Sequence, residues 1–352
     1  MKTKRNGYID VIKFIFALMV ADFHFDTRFL YGGFLAVEGF FMISGFLMMK
    51  SLEKSDKTES TGVATAKFIL HKYKALLPIL FSSVVVAFIV YIFNYNLSPR
   101  DISHNFWLVI FDIFPLQVAG FQGYFVIGIS WYLSAMFIAL LILYPLMRRS
   151  KSTTVNIICP LIVFLGYGIL SARYGDIIQA GKIYLEYSLL HTGIVRGLAG
   201  CSLGCIISEI TNKVKTVKLT HLAKTVFTVI EIVFFAIMLV MMHYVAMTQF
   251  DFIIVSLMFV ILTIGIAGLS YSSDLFSGKW TKCLGTASTL IALNHYCWYD
   301  FMKKFMPDLG FGIKVLISVG LITVNCVLVY FMSKLLSYGC SKLFKKERWV
   351  EN

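Results

Sequence analysis

Gly33-Phe34-Leu35-Ala36-Val37-Glu38-Gly39-Phe40-Phe41-Met42-Ile43-Ser44-Gly45-Phe46 reads as a membrane-type segment with a single acid inside it. Upstream lies another short apolar run, Phe14 to Ala21, closed by His24 and sharing its predicted helix with Asp10, Lys13 and Asp22. An ionisable side chain in lipid costs several kcal/mol, roughly 2.5–3.5 on insertion scales, so it requires a partner or a task. Two consecutive segments break that rule. This points to chemistry inside a membrane.

The bulk composition agrees. Of 352 residues, 58% are hydrophobic and only 14% charged, with a mean hydropathy of +0.79, whereas soluble domains carry about 25% charged residues. A soluble core could not absorb this much apolar surface. We expect an all-α, polytopic membrane helical bundle, with residues 1–352 forming a single integral-membrane domain, because apolar segments recur to the end without a long polar insertion. A span needs about 20 apolar residues. About ten candidates lie near 8–25, 33–50, 75–95, 125–147, 155–172, 193–210, 225–245, 251–271, 283–301 and 314–335. Phe106 to Gly123 is apolar but holds Asp112 and Pro115, and fits a re-entrant or interfacial helix better than a span.

With both termini placed in the cytoplasm, the inner segments hold 23 Lys and Arg and the outer ones 8, with Lys13 inside a span. That is the positive-inside pattern, and it also accounts for the net charge of +13. Basic residues spread over many short loops argue against nucleic-acid binding. Lys2, Lys4 and Arg5 before an apolar run resemble a signal peptide, but no clear small-residue cleavage site follows, so this segment is expected to be retained. None of the seven cysteines has CxxC spacing. They read as small apolar fillers, and no metal site is expected. Walker, HExxH and Gly-rich dinucleotide motifs are absent.

Lys13 and His24 are eleven residues apart, nearly three full turns, so they share a helix face about 16 Å apart along the axis. A cation toward the cytoplasm and a titratable base toward the outside would suit a long, phosphate-bearing donor. The alternative is that Lys13 pairs with Asp10 and snorkels, with His24 an interfacial histidine. Glu38 should lie at a depth similar to His24, where it could orient and support the imidazole, or instead satisfy a nearby backbone or hydroxyl group. Asp22 and Asp26 are rival partners of His24. The cluster His71-Lys72-Tyr73-Lys74 before Pro78 could bind phosphate or merely mark the lipid interface. Trp131 and Tyr132 read as an aromatic belt. His295 falls mid-span and needs partners. Arg196, inside the sixth span, could meet a lipid headgroup, Glu186 or the site itself.

In order along nearly the whole chain, these pieces resemble acyltransferase family three, the bacterial integral-membrane O-acyltransferases. The pieces are Arg5…Asp10…Lys13…His24, the acidic Glu38 ahead of Phe40-Phe41-Met42-Ile43-Ser44-Gly45-Phe46, the basic cluster Lys72 to Pro78, Trp131-Tyr132-Leu133, and Leu290 to His295. The family's first-helix arginine is Lys13 here, which keeps the charge and loses the bidentate fork. The arginines of its third-helix cluster correspond to Lys72 and to either Lys74 or Ala75.

The resemblance implies transfer of an acetyl or similar short acyl group from acyl-CoA to a hydroxyl of a surface carbohydrate, in the bacterial inner membrane. It implies His24 as base supported by Glu38, donor contacts from Lys13, Lys72, Lys74 and Ser44, and acceptor contacts from Trp131, Arg196 and His295. The expected partners are therefore acetyl-CoA as donor, a carbohydrate acceptor and the bilayer, and the sequence is compatible with a homo-oligomer. A polytopic transporter or flippase is the rival class, but no pair of related, Gly/Pro-broken halves is visible.

Overall fold

The structure, a computed structural model, describes residues 5–25, 29–120, 126–128, 130–177, 191–214, 217 and 219–347. All ten segments expected from hydropathy fall on helices. They are α1 (Gly7–His24), α2 (Ala36–Leu52), α3 (Thr61–Tyr95), α5 (Ser130–Arg149), α6 (Lys151–Tyr174), α7 (Thr192–Val214), α8 (His221–Tyr244), α9 (Asp251–Ala267), α10 (Thr281–Asn294) with its continuation α11 (Tyr296–Phe305), and α12 (Phe311–Glu347). Seven of these helices are long and apolar enough to cross a membrane by length and composition. The exceptions are α1, which carries three charges in 18 residues, α9 with 17 residues and α10 with 14.

A further helix, α4 (Pro99–Ile113), has 15 residues and is too short to span. It covers the start of the stretch expected to be interfacial. Asp112 is turned fully inside, where its Oδ2 accepts from the Val126 and Ile127 amides.

The bundle is sorted by polarity. In the apolar windows, 78% of α7 is buried, against 17% of α8 and of α12. The outer helices show lipid-type side chains on their surface, such as Phe93, Phe164 and Leu316. The helices with charge or many small residues sit inside, because only protein can satisfy or closely pack them. Accordingly α1 packs on α10 and α2, and α2 on α7. The α2–α7 crossing is backbone-tight: a Cβ on Gly45 would lie 2.0 Å from the Cys201 carbonyl oxygen, and one on Gly204 would lie 1.9 Å from that of Met42. Cys159, Cys201 and Cys205 fill this region as buried free thiols.

The loop after α2 ends early, because α3 begins at Thr61 with Ser60 capping the Val63 amide. Arg148 pins the loop by donating to the Ser55 hydroxyl and to the carbonyls of Asp56 and Glu59. Near the other end, the expected single span 283–301 is divided at His295 into α10 and α11.

Candidate functional site

The site grows from α1. Asn6 caps it by accepting the Tyr8 amide, and Arg5 takes Asp10 in a bidentate pair at 2.5 and 2.6 Å. That removes the acid which could have paired with Lys13. The Lys13 carbonyl accepts from the Ser288 hydroxyl, but its ammonium makes neither a hydrogen bond nor an ion pair among the described residues. Its side chain instead lines a cavity of about 360 Å³, and His24, three turns along the same face, lines that cavity too. The eleven-residue spacing therefore does what helical geometry requires.

Helix α3 supplies the opposite wall through Lys72, Ala75, Leu76 and Ile79, spaced as one helical face. Lys72 likewise lacks an acidic partner among the described residues. Lys74 does not belong here. It is exposed, because two residues beyond Lys72 the helix has turned its side chain to the far face. The position that faces the cavity is Ala75, so the second cation expected from the cluster is missing from the wall.

Ser44 and Tyr132 also line the cavity, and both hydroxyls donate to the thioether of Met136, at 3.2 and 3.8 Å. Sulfur is a weak acceptor, so both donors are easily exchanged for a ligand oxygen. Trp131 and Arg196 complete this polar edge, the guanidinium carbon lying 4.9 Å from the indole ring. Apart from Ser288 and Thr289, the rest of the wall is apolar, including Val20, Phe23, Phe34, Val37, Phe40 and Ile43.

Glu38 requires a correction. Its carboxylate is fully buried, but it does not support His24. Oε1 accepts from Arg196 Nε at 2.7 Å and Oε2 from the Tyr167 hydroxyl at 2.6 Å. The ordering of α2 against α7 brings together residues 158 positions apart, and a guanidinium competes better than an imidazole for a buried carboxylate. The same pair answers the question posed for Arg196. The lipid-headgroup reading fails because the side chain is 2% exposed, while the alternative partner Glu186 lies outside the described residues, as does Asp26. Asp22 accepts the Leu30 amide.

His295 is also relocated. It is completely buried and forms no part of the cavity wall. Its ring lies 5.1 Å from that of His24, tilted by 34°, while Tyr296 meets His24 edge-on at 5.1 Å and Phe23 at 5.2 Å. His295 Nδ1 is 2.9 Å from the Ile291 carbonyl oxygen. Only a protonated nitrogen can make that bond, which leaves Nε2 as the bare acceptor. The imidazole of His24 is thus held in an aromatic bracket.

Sequence reasoning missed Tyr167 and Tyr296. Tyr167 carried one usable signal, a hydroxyl in an otherwise apolar helix that must find a partner. Tyr296 carried none.

Comparisons with curated proteins and with solved structures return no significant match. The family model of an acyltransferase domain, in contrast, matches residues 6–333, from the cap of α1 to well inside α12. This nearly full-length match establishes that the chain belongs to acyltransferase family three, and the helical bundle agrees with it.

Proposed function

We propose that the protein moves a short acyl group, acetyl in the simplest case, from acyl-CoA to a hydroxyl of a surface carbohydrate, with His24 as general base. The observation that carries this reading is the shared cavity. An imidazole occupies one end of a helix face and a lysine the other, with a second lysine opposite, neither lysine having an acid partner among the described residues. Two uncompensated ammonium groups favour a multiply charged anion, which matches the nucleotide-phosphate end of CoA at Lys13 and Lys72. The apolar walls beyond them suit the acyl-pantetheine arm better than a sugar. The acceptor then approaches His24 from the other end, and the Lys and Arg distribution supports an outward-facing position for that end.

In this scheme His24 removes the acceptor proton as the hydroxyl attacks the thioester carbonyl. General-base assistance is typically worth about 10²–10⁴ in rate. The test is incubation of the purified protein with acetyl-labelled acetyl-CoA and membranes from cells lacking it. Label should enter the carbohydrate fraction with release of free CoA. His24→Ala should insert and bind CoA but lose transfer by at least about a hundredfold. Wild-type transfer by that variant contradicts the assignment. A flippase would release no thiol.

A further inference from the structure

Arg196 is the strongest feature that this scheme leaves without a task. Its Nε is held by Glu38, Nη1 lies 3.4 Å from the Ile177 carbonyl oxygen, and the guanidinium rests against Trp131. Nη2 is buried and makes no hydrogen bond among the described residues. A guanidinium presents five donors in a rigid fork, and leaving one buried without a partner is unfavourable. The group is also immobilised: Glu38 is fixed in turn by Tyr167, and a Cβ at Gly200, one turn from Arg196, would sit 3.3 Å from Glu38 Oε2. Arg196 and His24 both line the cavity.

Its electrostatics differ from those of the lysines. Among the described residues Lys13 and Lys72 form no ion pair, whereas the charge of Arg196 is matched by Glu38 at 2.7 Å. A neutralised guanidinium is a poor phosphate clamp, but it keeps its directional N–H donors. Those suit an uncharged carbonyl oxygen that becomes negative only during reaction.

We propose that Arg196 is a catalytic residue that donates from Nη2 to the thioester carbonyl oxygen, with Glu38, Tyr167 and Trp131 as its positioning residues. This rests on the acyl-CoA reading given above. The acceptor oxygen forms a bond to the carbonyl carbon, its proton passes to His24, and the carbonyl π pair moves onto the oxygen facing Nη2. Collapse of that oxyanion restores the carbonyl, breaks the C–S bond and expels the thiolate, which takes the proton back from His24 and leaves as free CoA. The new ester carries the acyl group.

The test compares the full-length protein's affinity for acetyl-CoA with that for S-ethyl-CoA, a thioether lacking the carbonyl, and for CoA itself. Wild type should favour acetyl-CoA over S-ethyl-CoA by roughly tenfold or more, the usual weight of a hydrogen bond to a charged donor. Arg196→Lys should abolish that preference while leaving CoA affinity unchanged, and transfer should fall about 10²–10³-fold. Because removing one member of a buried pair can prevent folding, the neutral double variant Glu38→Gln/Arg196→Gln is measured in parallel, with the same loss expected. No preference in wild type, or a preference kept in either variant, overturns the role of Arg196 while CoA binding leaves the acyl-CoA reading standing. Failure of wild type to bind CoA at all overturns both.

Discussion

Replacing Glu38 by Leu should destabilise the protein more than replacing Glu38 and Arg196 together. Both side chains are sealed inside, at 0% and 3% exposure, with a 2.7 Å N–O contact. With charge centres about 4 Å apart and an effective dielectric near 20, their attraction is about 4 kcal/mol. Glu38→Leu forfeits it, strands a guanidinium where water cannot reach, and frees the Tyr167 hydroxyl. A cost of about 3–5 kcal/mol is expected, as for other broken buried pairs. Arg196→Met strands the carboxylate instead and should cost a similar amount. The double variant Glu38→Leu/Arg196→Met removes both charges from the α2–α7 interface and pays no such penalty, so its loss should be smaller than that of either single variant. Equilibrium unfolding of the detergent-solubilised protein, followed by helical circular dichroism, measures the four corners of the cycle. Additive losses would refute the claim that Glu38 belongs to Arg196. If Glu38 served His24 instead, Glu38→Leu would spare stability and damage only transfer.

Other outcomes follow from the same geometry. Lys13→Ala and Lys72→Ala should each raise the acyl-CoA requirement, by about 1.5–3 kcal/mol of lost charge-assisted binding, without moving the acceptor requirement. Lys74→Ala should be near neutral, and titration of binding with CoA separates the three. Gly204→Val places a side chain where even a Cβ would sit 1.9 Å from the Met42 carbonyl oxygen, so the α2–α7 crossing must open. A loss of more than about 3 kcal/mol is expected, seen as poor recovery of folded protein. Asp112 gives a pH signature: burial pushes its carboxyl up from 3.8 to about 7. A raised acid contributes stability that is complete below its unfolded value and is lost as pH rises through the folded one. Wild type should therefore lose stability toward pH 7, and Asp112→Asn should flatten that slope in melting curves taken at several pH values.

Much of this was legible in one dimension. Hydropathy placed all ten expected segments on helices, most plainly the long, uniform runs of the outer helices such as α3, α8 and α12. The pairing of Lys13 with His24 was legible because both lie on one helix, where spacing fixes direction. Errors began where direction had to be judged between helices. Glu38 was readable as a buried acid in need of a partner, but its choice of Arg196 depends on how closely α7 approaches α2, which the glycines permit and which no local pattern encodes. Lys74 was drawn in by proximity to Lys72, although two residues along a helix reverse the facing. His295 was readable as a buried polar residue, yet whether it lines the cavity or backs the His24 ring depends on the division between α10 and α11.

The central claim is that His24 and the thioester of a CoA donor occupy one intramembrane cavity. An experimental structure with S-acetonyl-CoA, a stable analogue that keeps the carbonyl, tests it most directly. The account predicts the phosphates at Lys13 and Lys72 and the carbonyl carbon within about 4 Å of the His24 ring, close enough for an attacking hydroxyl to bridge the two. A ligand bound elsewhere, or a His24 ring turned toward lipid with no ligand beside it, would contradict it.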